Sequence, residues 1–277
     1  MTQNTEMERF KQYLTEEERS KNTIDKYERD VRYFFNWLNG RTVDKPLILE
    51  YKNELCKSFA PKSVNSMLSS LNSFFSFLQR PDLKVKTLKI QRQIFADDDR
   101  ELTKGEYERL LKAAKAQNNL RLYYLMQTIG STGIRISELS YITVNAVKTG
   151  RAHINCKGKM RQVFLPKALC KMLSEYTRGE GIKDGSVFIT RSGKPLNRSN
   201  VWKMLKDLCH VASVSAKKVF PHNFRHLFAR TFYQLQRDIV RLADVLGHSN
   251  VNTTRIYTAE TGVSHLQQIE MLGLLLC

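Results

Sequence analysis

Apolar residues spaced by three and four positions run through most of this chain, and that period restricts the fold more than any other feature. Ile24, Tyr27, Val31, Phe34, Phe35 and Leu38 recur at such steps after a candidate cap at Thr23, and Gly40 follows as a stop. A second strong pattern opens near Pro61 and puts Val64, Met67, Leu68, Leu71, Phe74, Phe75 and Leu78 on one face. Shorter patterns cover residues 10–14 and 47–55, which predicts a small helical bundle over residues 1–80. Phe34, Phe35, Phe74, Phe75 and Phe77 offer a surface for stacking bases, but their helical spacing assigns them to the bundle core.

Residues 80–101, RPDLKVKTLKIQRQIFADDDRE, have no clean period and pass from a basic cluster to an acidic run, which is the composition of a linker. The expected organisation is a helical domain at 1–80, a linker at 81–100 and a second domain at 101–277. Helical pattern resumes at LTKGEYERLL, where Thr103 and Glu106 have capping-box spacing. An apolar stretch over residues 120–129 runs into GSTGIRISELSYIT, whose glycines break the chain before a short helix bearing Arg135 and Glu138. Two β-like runs, AHINC and QVFLP, flank the basic turn KGKMR and predict a hairpin, with SVFIT as a candidate third strand. The fold class is therefore mainly α with a small β hairpin or sheet.

Charge narrows the partner. The 45 Lys and Arg against 27 Asp and Glu leave +18, and such an excess favours a polyanion because each neutralised phosphate releases condensed counterions. Before Phe95 there are 17 basic and 12 acidic residues, and from Phe95 onward 28 and 15, so both parts suit the same polyanion. Nucleic acid is the expected partner. Lys21, Lys62 and Arg80 near helix ends suit phosphate contacts, although solvated surface charge accounts for them as simply. No apolar run approaches the ~20 residues of a membrane span. The start MTQNTEMERF is not a secretory signal, so no membrane partner is expected and the expected compartment is the cytoplasm. Cys56, Cys156, Cys170, Cys209 and Cys277 are odd in number and contain no Cys-x-x-Cys pair, which argues against a disulfide framework and a zinc site.

The polar residues then gather into a pattern. PHNFRH puts His222 and Arg225 on one face of a predicted helix, with His226 at i+4. The His222 and His226 spacing is that of a metal-binding helix, but Asn223 stands where a general-base glutamate belongs and Arg225 sets a positive charge against a metal. No metal is assigned. His226, His153, His210 and His265 are read as packing residues. Downstream, LGHSNVNTTRIYT places Tyr257 nine residues after His248, which itself lies 26 residues after His222.

This order resembles the tyrosine recombinases, or phage integrase family. TGIRISEL is similar to its first arginine box, HNFRH to its second, and LGHSNVNTTRIYT to its end. The resemblance covers nearly the whole chain. It implies an N-terminal helical core-binding domain, a mixed α+β catalytic domain, and DNA cleavage and rejoining through a covalent 3′-phosphotyrosine. It further implies that Tyr257 is the nucleophile, that Arg135 and Arg225 hold the phosphate, that His222 is the general base or proton shuttle, and that His248 donates to the phosphate. Glu138 would orient neighbouring cations, with a plain i,i+3 pair to Arg135 as the alternative. The hairpin reads CKGKMRQ where the family usually shows one Gly-Lys-Gly run, so either Lys157 or Lys159 supplies the leaving-group proton. Alignment on the Lys-Gly pair favours Lys157 and leaves Lys159 as a DNA contact.

These residue types suit the chemistry on their own terms. A phenol with a pKa of ~10 must lose its proton during attack and needs positive surroundings. Guanidinium forks fit the charge that develops on non-bridging oxygens, and a lysine among arginines has a lowered pKa suited to a general acid. No cofactor is needed, because the phosphotyrosine keeps the bond energy for a returning 5′ hydroxyl. The tail over residues 261–277 carries Val263, Leu266, Ile269, Met271, Leu272 and three terminal leucines, too apolar to stay in solvent. On physical grounds alone docking on its own catalytic domain is the simpler outcome, whereas the resemblance implies that it passes to the next subunit of a homotetramer on two specific recombination sites of double-stranded DNA. Two other classes remain open: a type IB topoisomerase-like strand transferase, and a non-catalytic DNA-binding protein.

Overall fold

The computed structural model describes residues 3–90, 100–156, 159–257 and 270–271. The chain divides into two compact units, Met1–Arg92 and Gln93–Cys277. In the first, four helices follow the predicted periods: α1 (Gln3–Glu16), α2 (Lys21–Leu38), α3 (Lys45–Ser58) and α4 (Pro61–Phe77). Helix α2 begins before the expected cap, because Ser20 takes the cap position and its hydroxyl is bonded to that of Thr23 at 2.9 Å. Asn39 closes α2 in the left-handed region, at φ 46°. Asp44 caps α3 by accepting from the Leu47 amide.

The aromatic residues do form the core of this unit. Phe34, Phe74 and Phe75 are fully buried, and Phe35 and Phe77 pack against them. Burial of each such ring stabilises the bundle by about 1.5–3 kcal/mol. Phe10 meets Phe74 edge-on at 5.1 Å, which joins α1 to α4. A polar cluster joins α2 to α4: Asp30 accepts from Lys26 at 2.6 Å and from Ser70 of α4 at 2.7 Å, and Lys26 also donates to the Ser66 carbonyl at 3.0 Å.

The chain after α4 has no helical period, yet it is held to the bundle by side chains that act as strand partners. Asn72 donates to the Val85 carbonyl and accepts from the Val85 amide, and Asn65 does the same for Leu88. Leu83 and Val85 are thereby buried in the first unit's core. Residues 91–99 of the expected linker lie outside the described residues.

The second unit is built around α6 (Leu120–Thr132), whose Leu122, Leu125, Met126 and Ile129 are wholly buried. Against it pack α5 (Lys104–Ala116), α8 (Lys167–Gly179), α9 (Arg198–Val211) and α10 (Pro221–Gln236). The capping box at Thr103 and Glu106 forms as predicted. A 3-10 turn (Ile136–Tyr141) replaces the short helix expected there and leads to α7 (Val144–Thr149). The hairpin pairs β1 (Arg151–Cys156) with β2 (Lys159–Phe164) in antiparallel register, Ile154 opposite Arg161. SVFIT does not become a third strand. Its backbone makes only isolated bridges, with Val187 donating to Ile142, while Val187 and Phe188 are drawn into the core. The unit continues through α11 (Ile239–Leu246), α12 (Val251–Thr254) and a 3-10 turn (Arg255–Tyr257). Among the described residues no helix is long and apolar enough to cross a membrane.

Candidate active site

Two helix ends shape the site. Helix α6 stops at Gly133 (φ 62°) and α11 at Gly247 (φ 64°), both left-handed caps. Each position favours glycine, because at positive φ a Cβ would lie 2.5 Å from the Phe228 ring at Gly133 and 2.4 Å from Arg161 Cδ at Gly247, so that the neighbouring side chain would have to move. Carbonyl groups left open at these ends carry the negative pole of the helix dipole, and they receive the arginines. Arg225 Nη1 donates to the Gly133 carbonyl and Nη2 to that of Leu246 at 2.8 Å. Arg135 Nη2 reaches the Gly247 carbonyl at 3.3 Å.

Glu138 completes the cation cluster. Its Oε1 accepts from Arg135 Nη1 at 2.9 Å, and its Oε2 from Arg161 Nη2 at 2.6 Å and from the Arg135 amide at 3.0 Å. The i,i+3 pair to Arg135 is present, but Glu138 is only 3% exposed and bridges two guanidinium groups, so it is no surface pair. Burial opposes its ionisation, yet the hydrogen bonds from Arg161 and Arg135 hold its carboxyl below the usual range. Arg225 is 1% exposed, and burial with Arg135 nearby pushes its pKa down to about 10, leaving it charged at neutral pH. Glu138 pairs with two guanidinium groups and Arg225 has no carboxylate partner among the described residues, which leaves an excess of positive charge suited to an anion.

The aromatic members close over Arg225. His248 Nε2 lies 3.0 Å from Arg225 Nη2 and Nδ1 2.9 Å from Thr254 Oγ1. Because a guanidinium only donates, Nε2 accepts and Nδ1 carries the proton to Thr254. The Tyr257 ring, 3% exposed, is stacked on His248 (5.9 Å, 15°) and stands perpendicular to His226 at 4.8 Å, while His222 lies 4.8 Å from His226. Burial, reinforced by His226 and by Arg225 and Arg135, pushes His222 down to about 4. Burial followed by Arg225, Arg135 and Arg161 does the same to His248, also to about 4. Both imidazoles are neutral at pH 7.

That depression links the site to stability. The folded value of about 4 lies below the ordinary 6.5, so the unfolded chain takes up protons first as pH falls. Stability is fully present above pH ~6.5 and is lost toward pH ~4. Thermal unfolding from pH 7 to 4 should show a falling midpoint, with a shallower fall in His222→Asn and in His248→Asn. An unchanged slope in both variants would remove these histidines as its source.

Of the remaining sequence candidates, Lys157 lies outside the described residues, and Lys159 opens β2. Lys21 and Lys62 are exposed in the first turns of α2 and α4, and Arg80 is paired with Asp82 at 2.8 Å. Among the described residues, no group of three His, Cys, Asp or Glu is placed to hold a metal ion. Asn223 instead binds the Arg100 and Lys218 carbonyls at 2.6 and 2.7 Å. Sequence reasoning missed Arg161 and the environment of His226, whose Nδ1 lies 3.5 Å from Glu101, itself paired with Arg230. The only signal for Arg161 was its inward strand position two residues before buried Val163.

Comparison with known proteins decides the family. Residues 100–262 match the phage integrase family, and residues 7–81 match the phage integrase N-terminal SAM-like domain. The chain belongs to the phage integrase family. Its relatives include tyrosine recombinase XerD of Halalkalibacterium halodurans, 28% identical over 268 residues and covering 87% of this chain and 88% of the relative. TnP I resolvase of Bacillus thuringiensis is 28% identical over 286 residues, with 95% and 98% covered. Among solved structures, lambda integrase (75–356) bound to a COC′ core site superposes with TM-score 0.76 at 17% identity, over 95% of this chain and 97% of that one. XerH bound to difH in a pre-cleavage complex has TM-score 0.69 at 20% identity, with 89% and 79% covered. The fold of this phage integrase family member is thus that of the tyrosine recombinases, as the sequence motifs predict.

Proposed function

We propose that this protein is a site-specific DNA recombinase that cleaves and rejoins strands through a 3′-phosphotyrosine at Tyr257. The observation that carries the reading is the meeting of Tyr257, His248 and Arg225, drawn from separate segments, beside Arg135. The Tyr257 oxygen attacks phosphorus, the bond to the 5′ oxygen breaks, and neutral His222 takes the phenolic proton. Lys157, or Lys159 in its place, protonates the departing 5′ oxygen. Arg135 and Arg225 stabilise the added charge on the non-bridging oxygens, and His248 turns a ring N–H to the phosphate once the anion favours it over Arg225. Glu138 holds the guanidinium of Arg135. Because Arg225 is enclosed, the Tyr257 segment must shift for the phosphate to reach it.

Double-stranded DNA is the substrate on this reading, supported by the net charge of +18 and by relatives solved on DNA. Lys21, Lys62, Arg80 and Lys159 contact its backbone. Assembly is a homotetramer on two sites, with residues 261–277 passed between subunits; residues 258–269 and 272–277 lie outside the described residues. The compartment is the cytoplasm. Nicked suicide duplexes, taken from DNA flanking the gene or selected from a random pool, test the reading. A covalent adduct and exchange between two sites are expected. Supercoil relaxation without exchange would favour the topoisomerase-like reading, and binding without adduct a non-catalytic protein.

A further inference from the structure

Arg161 is selected by no motif, yet it touches every support of Arg135. From β2 its side chain passes inward, 14% exposed, donating from Nη2 to Glu138 Oε2 at 2.6 Å and from Nη1 to the Val245 carbonyl at 3.0 Å. On the way Cδ crosses Gly247 so closely that any Cβ there would collide with it. The two groups that hold the Arg135 guanidinium are Glu138 Oε1 and the Gly247 carbonyl, at 2.9 and 3.3 Å. Arg161 is hydrogen-bonded to Glu138 and packed against the Cα of Gly247, the residue that bears the second. It also ties the hairpin strand β2 to both of them.

Its two hydrogen bonds run inward. Both terminal nitrogens donate to protein oxygens, Nη1 to Val245 and Nη2 to Glu138, and Nε is buried without a partner among the described residues. Without Arg161, Glu138 Oε2 would keep only the Arg135 amide, and a buried carboxylate with one partner fewer is free to turn toward other cations. The Gly247 turn would lose the side chain that fills the space beside it.

We propose that Arg161 is a positioning residue for Arg135, acting through Glu138 and the Gly247 turn rather than on the phosphate. This rests on the assignment of Arg135 as a phosphate-holding group. The test is single-turnover cleavage of a nicked duplex carrying either the natural scissile phosphodiester or a methylphosphonate. The methylphosphonate is neutral and lacks the charged oxygen that the guanidinium stabilises. On the phosphodiester, Arg161→Met should cleave about 10-fold more slowly than the native chain, the scale of one coupled side-chain contact. Arg161→Lys, which keeps the stem and one charge, should fall between them and provides a variant if Arg161→Met does not fold.

Two results identify the route. Arg135→Ala/Arg161→Met should be no slower than Arg135→Ala alone, and the Arg161 deficit should shrink on methylphosphonate as the Arg135 deficit does. Gly247→Ala, which displaces Arg161 from the other side, should show the same substrate signature. Multiplying deficits, or an equal Arg161 deficit on both substrates, would overturn the proposal and leave Arg161 as general structural support. An Arg135→Ala chain that cleaves the phosphodiester at the native rate would instead remove the underlying phosphate assignment.

Discussion

Tyr257→Phe should leave a folded, DNA-binding chain that traps no covalent adduct at all. Phenylalanine keeps the ring that stacks on His248 and meets His226, so the buried packing persists. What disappears is the hydroxyl, with its interaction with Arg225 and the only oxygen proposed to attack phosphorus. Loss of one such hydrogen bond costs on the order of 1–3 kcal/mol of stability, while loss of the nucleophile leaves no route to the intermediate. Denaturing gels of end-labelled nicked duplex check this directly. A protein–DNA adduct formed by the Phe variant at the native rate would transfer the nucleophile to another residue.

Arg135→Ala and Arg225→Ala should each slow single-turnover cleavage by at least ~10²-fold, the scale of one lost oxyanion donor. Their effects on the fold should differ. Arg135 is 34% exposed, and its removal frees Glu138 to keep Arg161, so the variant should stay folded and bind DNA nearly normally. Arg225 is enclosed and its removal strips the Gly133 and Leu246 carbonyls and His248 of their shared donor. That costs about 3 kcal/mol or more, as when one partner of a buried charged network is deleted. Gel shifts, thermal midpoints and cleavage rates measured together check both statements. Cleavage within a few-fold of native by a folded Arg135→Ala chain would place the phosphate elsewhere.

Periodicity and motif spacing reach far into this molecule. A local period needs no partner to be read, so α2 and α4, the Thr103 capping box and the hairpin follow from residues close in the chain. The motif residues also stand out, because reactive chemistry uses few residue types. Contacts between distant segments are different. Nothing near Asn65 or Asn72 indicates that they pair with the backbone of Leu88 and Val85, since only the return of the chain past α4 brings those amides within reach. SVFIT has strand composition, but the core took its side chains and left its backbone one-residue bridges in place of a ladder.

The same division runs through the site. Sequence alone determined which phenol, imidazoles and guanidinium groups are the candidates, together with the helical class of the fold that carries them. Tertiary structure decided their states. Burial pushed His222 and His248 to neutrality, the carbonyl ends of α6 and α11 took hold of Arg225 and Arg135, and Glu138 became a buried bridge only when Arg161 arrived from the hairpin. Solvent exclusion and long-range hydrogen bonding depend on what surrounds a side chain in space, and a linear order of residues does not contain that information.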